Sequence, residues 1–422
     1  MERIEAAAAA GGATPLAAYQ KRLLVFLGLA TFFEGYDLFA LAQILPNLRA
    51  DLGLSAAQGG VIVAVAGIGG VLAYALVRRA DEWGRRRVLV LSILGYTVLS
   101  LITALAPNAW VFGISQMLAR IFLISEYTVA MIYAAEEYPA DRRGMVIGIL
   151  QACSSLGAIV CAATVPLLLA TPLGWRSVYV VGALPLLLLV LVRRGLRETG
   201  RFAAQAETAP VARPSLTRIF QTPYRRRVLQ MGAIWALTAI GTQNAVTFWK
   251  EFAIAERNFS DAQVGASLTV AAVVAMPLVL FSGKLLDVIG RRLGAAVIFL
   301  TTAVGVVACY TLHDPRMLTL ALILGVFGAS AVMPVLNAYT TELFPTELRS
   351  EAYAWSNNLI GRAGFLISPL LVGLAADAVG WGPAVASTAI FPILALVAIL
   401  WLLPETAGRE LEETAALDDH RA

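Results

Sequence analysis

The chain has 422 residues, of which 59% are hydrophobic and 14% charged, with a formal net charge of +4. With a mean hydropathy of +0.75, that is more apolar surface than a soluble core buries, so the composition points to a polytopic membrane protein. It excludes a disulfide scaffold, because Cys153, Cys161 and Cys309 all lie in apolar stretches, and it leaves no cluster for a metal or a histidine-based catalytic site, because His313 and His420 are the only histidines. A bilayer core takes about 20 apolar residues per helix. Twelve such stretches are predicted, at 22–47, 56–77, 88–106, 109–135, 145–171, 176–192, 228–250, 263–283, 293–311, 316–340, 351–376 and 382–402. The expected organisation is a cytoplasmic N-terminal segment (1–21), an N-terminal six-helix bundle (22–192), a cytoplasmic linker (193–227), a C-terminal six-helix bundle (228–402) and a cytoplasmic tail (403–422). Residues 1–21 do not read as a cleavable signal, since Glu2 and Glu5 precede Lys21 and Arg22 and the apolar stretch that follows is too long.

Loop charges set the expected orientation. Arg49, Arg176, Lys250, Arg257 and Arg316 fall in the sparse segments, whereas Arg78, Arg79, Arg85–Arg87, Arg142, Arg143, Arg291, Arg292 and Arg349 crowd the opposite side. The excess predicts both termini in the cytoplasm. Basic residues in short clusters between apolar spans also argue against nucleic acid, which calls for a continuous basic face.

The two halves repeat. Asp81, Gly84, Arg85 and Arg86 follow the second span, and Asp287, Gly290, Arg291 and Arg292 follow the eighth; Glu136 and Arg143 follow the fourth, and Glu342 and Arg349 the tenth. Glu198-Thr199 and Glu405-Thr406 echo each other after spans six and twelve. Parallel six-helix repeats imply a carrier of two bundles around a central cavity. Across nearly its whole length the chain resembles the major facilitator superfamily, whose G-x-x-x-D-R-x-G-R-R loop appears at 77–86, with Val77 and Glu82 departing from it, and again at 283–292. The resemblance implies an all-α membrane fold of twelve helices in two pseudo-symmetric bundles. The run Pro404–Glu413 is similar to the ending of the sugar-porter and organic-ion branches. Physically, these turns suit a cytoplasmic gate: glycine permits a tight turn, and an Asp at a helix end can pair with arginines and a neighbouring helix N-terminus. The alternative is plain topology anchoring by arginine.

Ionisable groups within the spans are functional candidates by default. Glu34 and Asp37 share one face at i,i+3. Two carboxyls that close in low dielectric do not both ionise easily, which suits a proton carrier; the alternative is a structural pair capped by arginines. The stretch Phe32–Asp37 resembles the D-G-[YF]-D signature of aromatic acid:proton symporters, with Glu34 in place of the first Asp and Tyr36 beside the second. Glu126, in a stripe with Ala130 and Tyr133, is a third proton-coupling candidate, weighed against structural pairing; Arg120 lies on a different face. Arg362, joined along one helical face by Trp355, Asn358, Phe365 and Pro369, suits a planar carboxylate. The alternative is a structural partner of Asp37 or Glu126. Gln243 stands 206 residues after Asp37, so one half carries an acid where the other carries an amide. Gln243, Asn244, Gln151 and Asn337, with Tyr36 and Tyr133, complete the substrate-facing candidates, although amides also glue helices together.

The leading expectation is a proton-coupled importer of small organic anions, aromatic or heterocyclic carboxylates, in a bacterial inner membrane. It needs no cofactor beyond the proton gradient and is expected to act as a monomer. A proton-coupled drug or organic-cation exporter, a sugar or polyol carrier, and a receptor that binds without translocating are the alternatives. An enzyme is not expected: no phosphate loop or nucleophile–base pair stands out.

Overall fold

The computed structural model describes residues 17–184, 196–199, 217–345, 347–409 and 414, and every regular element among them is a helix. The first half comprises α1 (Ala18–Leu52), α2 (Ala56–Trp83), α3 (Arg85–Ala104), α4 (Ala109–Glu137), α5 (Ala140–Leu169) and the short α6 (Arg176–Gly182). The second comprises α7 (Arg225–Thr247), α8 (Trp249–Ala255), α9 (Asp261–Ile289), α10 (Arg291–Thr311), α11 (Pro315–Glu342), α12 (Arg349–Tyr353), α13 (Arg362–Val379), α14 (Trp381–Ala386) and α15 (Ile390–Leu402). A π-helical stretch, Ala354–Gly361, joins α12 to α13.

Ten helices among the described residues are long and apolar enough to cross a membrane, and ten of the expected spans overlie them. The other two do not. The expected sixth span, 176–192, passes outside the described residues after 184. The expected seventh, 228–250, is the 23-residue α7, whose Thr238, Thr242, Gln243, Asn244 and Thr247 make it more polar than the rest. The expected N-terminal segment as far as residue 16, most of the linker (193–195 and 200–216), and 410–413 and 415–422 of the tail also lie outside the described residues.

Helix ends follow local chemistry. Asn108 caps α4 by accepting from the Val111 N–H, Ser260 and Gln263 form a reciprocal capping box on α9, and Asp314 caps α11 ahead of Pro315 at its first turn. The turns before α3 and α10 are built alike: Gly84 and Gly290 both adopt φ of 91°, a conformation that a side chain disfavours. The repeated glycine is thus a repeated backbone shape.

The chain divides into two compact units, Met1–Leu41 with Ile68–Ala212, and Ala42–Gly67 with Arg213–Ala422. The ends of α1 and α2 nearest their connecting turn fall in the second unit. Leu27, Val88, Leu89, Tyr96, Val129 and Leu150 anchor the core of the first unit. Ile234, Phe299, Val335, Leu336, Tyr339 and Ile399 anchor that of the second.

Candidate functional site

Within the first unit, α1 carries Glu34 and Asp37 inward at 4% and 3% exposure. Glycines bring the backbones close there: a Cβ on Gly35 would fall 1.9 Å from the Ser154 carbonyl oxygen, and one on Gly157 1.9 Å from that of Phe32. This α1–α5 crossing lets Ser154 Oγ donate to Glu34 Oε2 at 2.7 Å. Asp37 Oδ1 faces α6, 3.2 Å from where a Cβ of Gly182 would stand, and has no hydrogen-bond partner among the described residues. From α4, Arg120 reaches Asp37, Tyr179 and Glu34 electrostatically, Asp37 most strongly. Glu126 is fully buried, and neither carboxylate oxygen finds a donor among the described residues. Its electrostatic neighbours are Glu34 and Tyr96. The Tyr96 and Tyr179 hydroxyls, also buried, lack partners among the described residues as well. Three carboxyls and one arginine thus share an apolar interior with few donors, where a bare charge is costly.

Tyr36 donates to the Val178 carbonyl at 3.4 Å, and Tyr133 to the Arg197 carbonyl at 2.6 Å. Gln151 is exposed.

In the second unit, Arg362 begins α13 where the π stretch ends. Such π segments recur at functional sites. The stretch also changes the helical phase, so the face drawn through Trp355, Asn358 and Arg362 does not continue evenly across Gly361. Trp355 packs edge-on against Phe220, with centroids 4.7 Å apart, and Asn358 is half-buried. Tyr353 donates to Asn337 Oδ1 at 3.2 Å and lies within electrostatic reach of Arg362. Asn244 Nδ2 donates to Ser368 Oγ at 2.5 Å and ties α7 to α13. Gln243, one residue earlier, is half-buried.

The arginine-rich turns form the same clamp twice. Arg85 donates to Glu136 Oε1 at 3.0 Å, and Thr199 Oγ1 donates to Glu136 Oε2 at 2.5 Å. Glu198 accepts from the backbone N–H groups of Arg85 and Arg86. In the second unit Arg291 donates to Glu342 Oε1 at 2.9 Å, Thr406 Oγ1 to Glu342 Oε2 at 2.6 Å, and Glu405 accepts from the N–H groups of Arg291 and Arg292. Glu198 therefore covers the N-terminus of α3 and Glu405 that of α10, while Asp287 pairs with Arg291 at 2.7 Å; the Asp81 side chain lies outside the described residues. A carboxylate reaches across from the segment after the last helix of each half, and no short-range spacing announces it. Partial burial pushes the Glu405 carboxyl up, but the N–H groups of Arg292, Ala407, Arg291 and Thr406 outweigh this and hold it below its ordinary value. Arg349 donates to the Phe344 carbonyl, Arg292 to that of Leu400, and Arg143 is half-buried.

A second charged cluster occupies the opposite end of the helices, wholly within the second unit. Arg49 donates to Glu251 Oε2 at 2.7 Å and to the Ser55 carbonyl at 3.0 Å, and lies 5.4 Å from the Trp381 ring centre. Lys250 pairs with Asp261 at 2.6 Å and donates to Asn47 at 3.1 Å. Asp377 accepts from the N–H groups of Ala56 and Ala57, at the N-terminus of α2. Sequence reading placed Arg49 and Lys250 only as loop charges and passed over Glu251, Asp377, Tyr96, Tyr179 and Tyr353. The tyrosines look like core residues in an apolar helix, and the charges meet only through tertiary packing.

A family model described as Major Facilitator Superfamily matches residues 27–252 and 233–420. A putative metabolite transport protein of Haemophilus influenzae is 30% identical over 415 residues, covering 93% of this chain and 98% of that one. A cis,cis-muconate transport protein of Acinetobacter baylyi is 28% identical, covering 88% and 92%. The fold is similar to the solved structure of a bacterial homologue of the human lysosomal transporter Spinster, inward-facing and unoccupied, with a TM-score of 0.76 and 15% identity over 91% of this chain and 97% of that one.

Proposed function

The chain belongs to the Major Facilitator Superfamily, whose members are multi-pass transporters and not enzymes, and on that premise we propose that it imports small carboxylates together with protons by alternating access. The observation that carries this reading is the acid cluster: Glu34, Asp37 and Glu126 are buried in one unit with Ser154 as the one side chain that donates to any of them among the described residues. Such a group is inexpensive to hold neutral and expensive to hold charged, so it takes up a proton readily when one side supplies it. Arg362, with Tyr353 and Asn337 close by, supplies a cation and donors for a carboxylate. The relative named for cis,cis-muconate transport supports the carboxylate class, and those named for gallate and niacin transport support an aromatic or heterocyclic carboxylate as the cargo.

In this cycle the arginine-rich turns face the cytoplasm, with both termini inside and twelve spans in all, as in a bacterial inner membrane. The cluster around Arg49 then faces outward. A proton loads on Glu34 or Asp37 from outside, and the substrate carboxylate engages Arg362. Both must bind the two states unequally, since a ligand of equal affinity shifts nothing. Asp37→Asn separates coupling from carriage: exchange of carboxylate across proteoliposomes is expected to survive, while accumulation driven by an acid-outside gradient is lost. Undiminished gradient-driven accumulation in Asp37→Asn and in Glu34→Gln would remove these acids from the coupling step.

A further inference from the structure

Glu251 sits where α8 meets the end of α1, next to the turn into α2, at 3% exposure. One oxygen, Oε2, is held by Arg49; Oε1 is buried with no hydrogen-bond partner among the described residues. The charged groups around it come from four elements. Arg49 belongs to α1, Lys250 to its own helix and Asp261 to α9, and Asp377 of α13 stands beside Arg49. The same groups fasten the joint mechanically. Arg49 also holds the turn at Ser55, Lys250 holds Asn47, and Asp377 holds the first N–H groups of α2. A carboxyl enclosed at such a joint is half-satisfied when the joint is shut and meets water when it parts.

We propose that Glu251 is a proton-uptake site of the outer gate: it binds a proton as the end of α1 closes against α8, so that acid outside holds that side shut. The inference rests on the transporter reading for which side is outer. It differs from that reading in kind, because this proton returns to the side it came from and biases the gate without being carried.

The sign follows from linkage. Burial pushes the enclosed Glu251 carboxyl up to about 7, with Arg49 and Lys250 opposing. Parted and hydrated, the same carboxyl ionises near about 4.3. The shut state therefore binds the proton more tightly and is favoured by acid. The bias is full below the open-state value and is lost as pH rises through the shut-state value. Each unit of difference is worth about tenfold in the shut-to-open ratio.

Double electron–electron resonance on the full chain in nanodiscs reads this directly. Nitroxides on Ala50→Cys of α1 and Ala255→Cys of α8, both exposed, report the joint, with Cys153, Cys161 and Cys309 replaced by alanine. The short-distance population is expected to fall by about tenfold or more, as a shut-to-open ratio, as pH rises through about 7. Glu251→Gln, which mimics the protonated acid, is expected to keep the short distance at every pH. Arg49→Gln removes the opposing cation and is expected to move the midpoint to higher pH. The same pH dependence in Glu251→Gln as in the parent, no pH dependence in the parent, or an unmoved midpoint in Arg49→Gln would overturn the assignment. The readout needs no substrate and no gradient, so a failed uptake assay would count against the carboxylate reading alone.

Discussion

Replacing Glu405 with alanine tests whether the repeated clamp holds each unit together. Its carboxylate accepts from the N–H groups of Arg291 at 2.8 Å, Arg292 at 2.9 Å, and Thr406 and Ala407 at 3.0 Å. Two of these donors are the first N–H groups of α10, which the helix cannot satisfy itself. Losing a cap costs about 0.5–2 kcal/mol, and partial exposure lets water replace part of the rest, so the loss from Glu405→Ala is expected at about 1–2 kcal/mol. At roughly 2–4 °C per kcal/mol for a unit of this size, the melting temperature falls by several degrees. The buried thiols Cys161 and Cys309 make a thiol-reactive dye a convenient reporter of unfolding. Glu198→Ala, which strips the same cap from α3, is expected to cost a similar amount. The pH sign is fixed by the depressed Glu405 carboxyl: its stabilisation is present above the unfolded-state value and lost as pH falls through the folded one. The stability gap between the parent and Glu405→Gln should therefore be constant near neutrality and shrink in acid. An unchanged melting temperature in Glu405→Ala, or a gap that does not shrink, would refute the clamp.

Two further substitutions probe packing. Gly157→Ala pushes a methyl against the Phe32 carbonyl and is expected to cost about 1–3 kcal/mol, whereas Gly148→Ala on the same helix meets nothing within 4 Å and should be near neutral in the same melt; equal effects would contradict the close crossing. Asn244→Ala unties Ser368 and is expected to lower stability by about 1 kcal/mol with no change in KM for substrate; a raised KM in a protein of unchanged stability would make Asn244 a substrate contact instead.

Much of this architecture is written in the chain at the level of spacing. The loops at 81–86 and 287–292 stand out because charged residues are scarce between apolar runs, and both place a glycine where φ reaches 91°. The acids of α1 were legible for the same reason. What spacing cannot carry is partner choice over long range. Glu198 and Glu405 repeat visibly, yet their role on the N-termini of α3 and α10 depends on a chain returning from more than a hundred residues away. The face around Arg362 presumes a 3.6-residue period, and the π stretch breaks that period before the arginine. Glu251 stands beside Lys250 between Trp249 and Phe252, at the expected edge of a span, where spacing does not separate a buried acid from a loop charge. It is buried because α8 begins a new helix directly after α7, at Phe248.

Proton-driven carboxylate import through Arg362 is directly measurable. Its most direct measurement is uptake into proteoliposomes from a labelled panel of aromatic acids, short carboxylates, organic cations and hexoses, with and without an acid-outside gradient, against empty liposomes that report leakage of neutral weak acids. Gradient-driven accumulation of a carboxylate is expected, abolished in a folded Arg362→Ala protein. Cation movement with the opposite pH dependence, hexose uptake indifferent to Arg362, or carboxylate uptake undiminished in Arg362→Ala would contradict it.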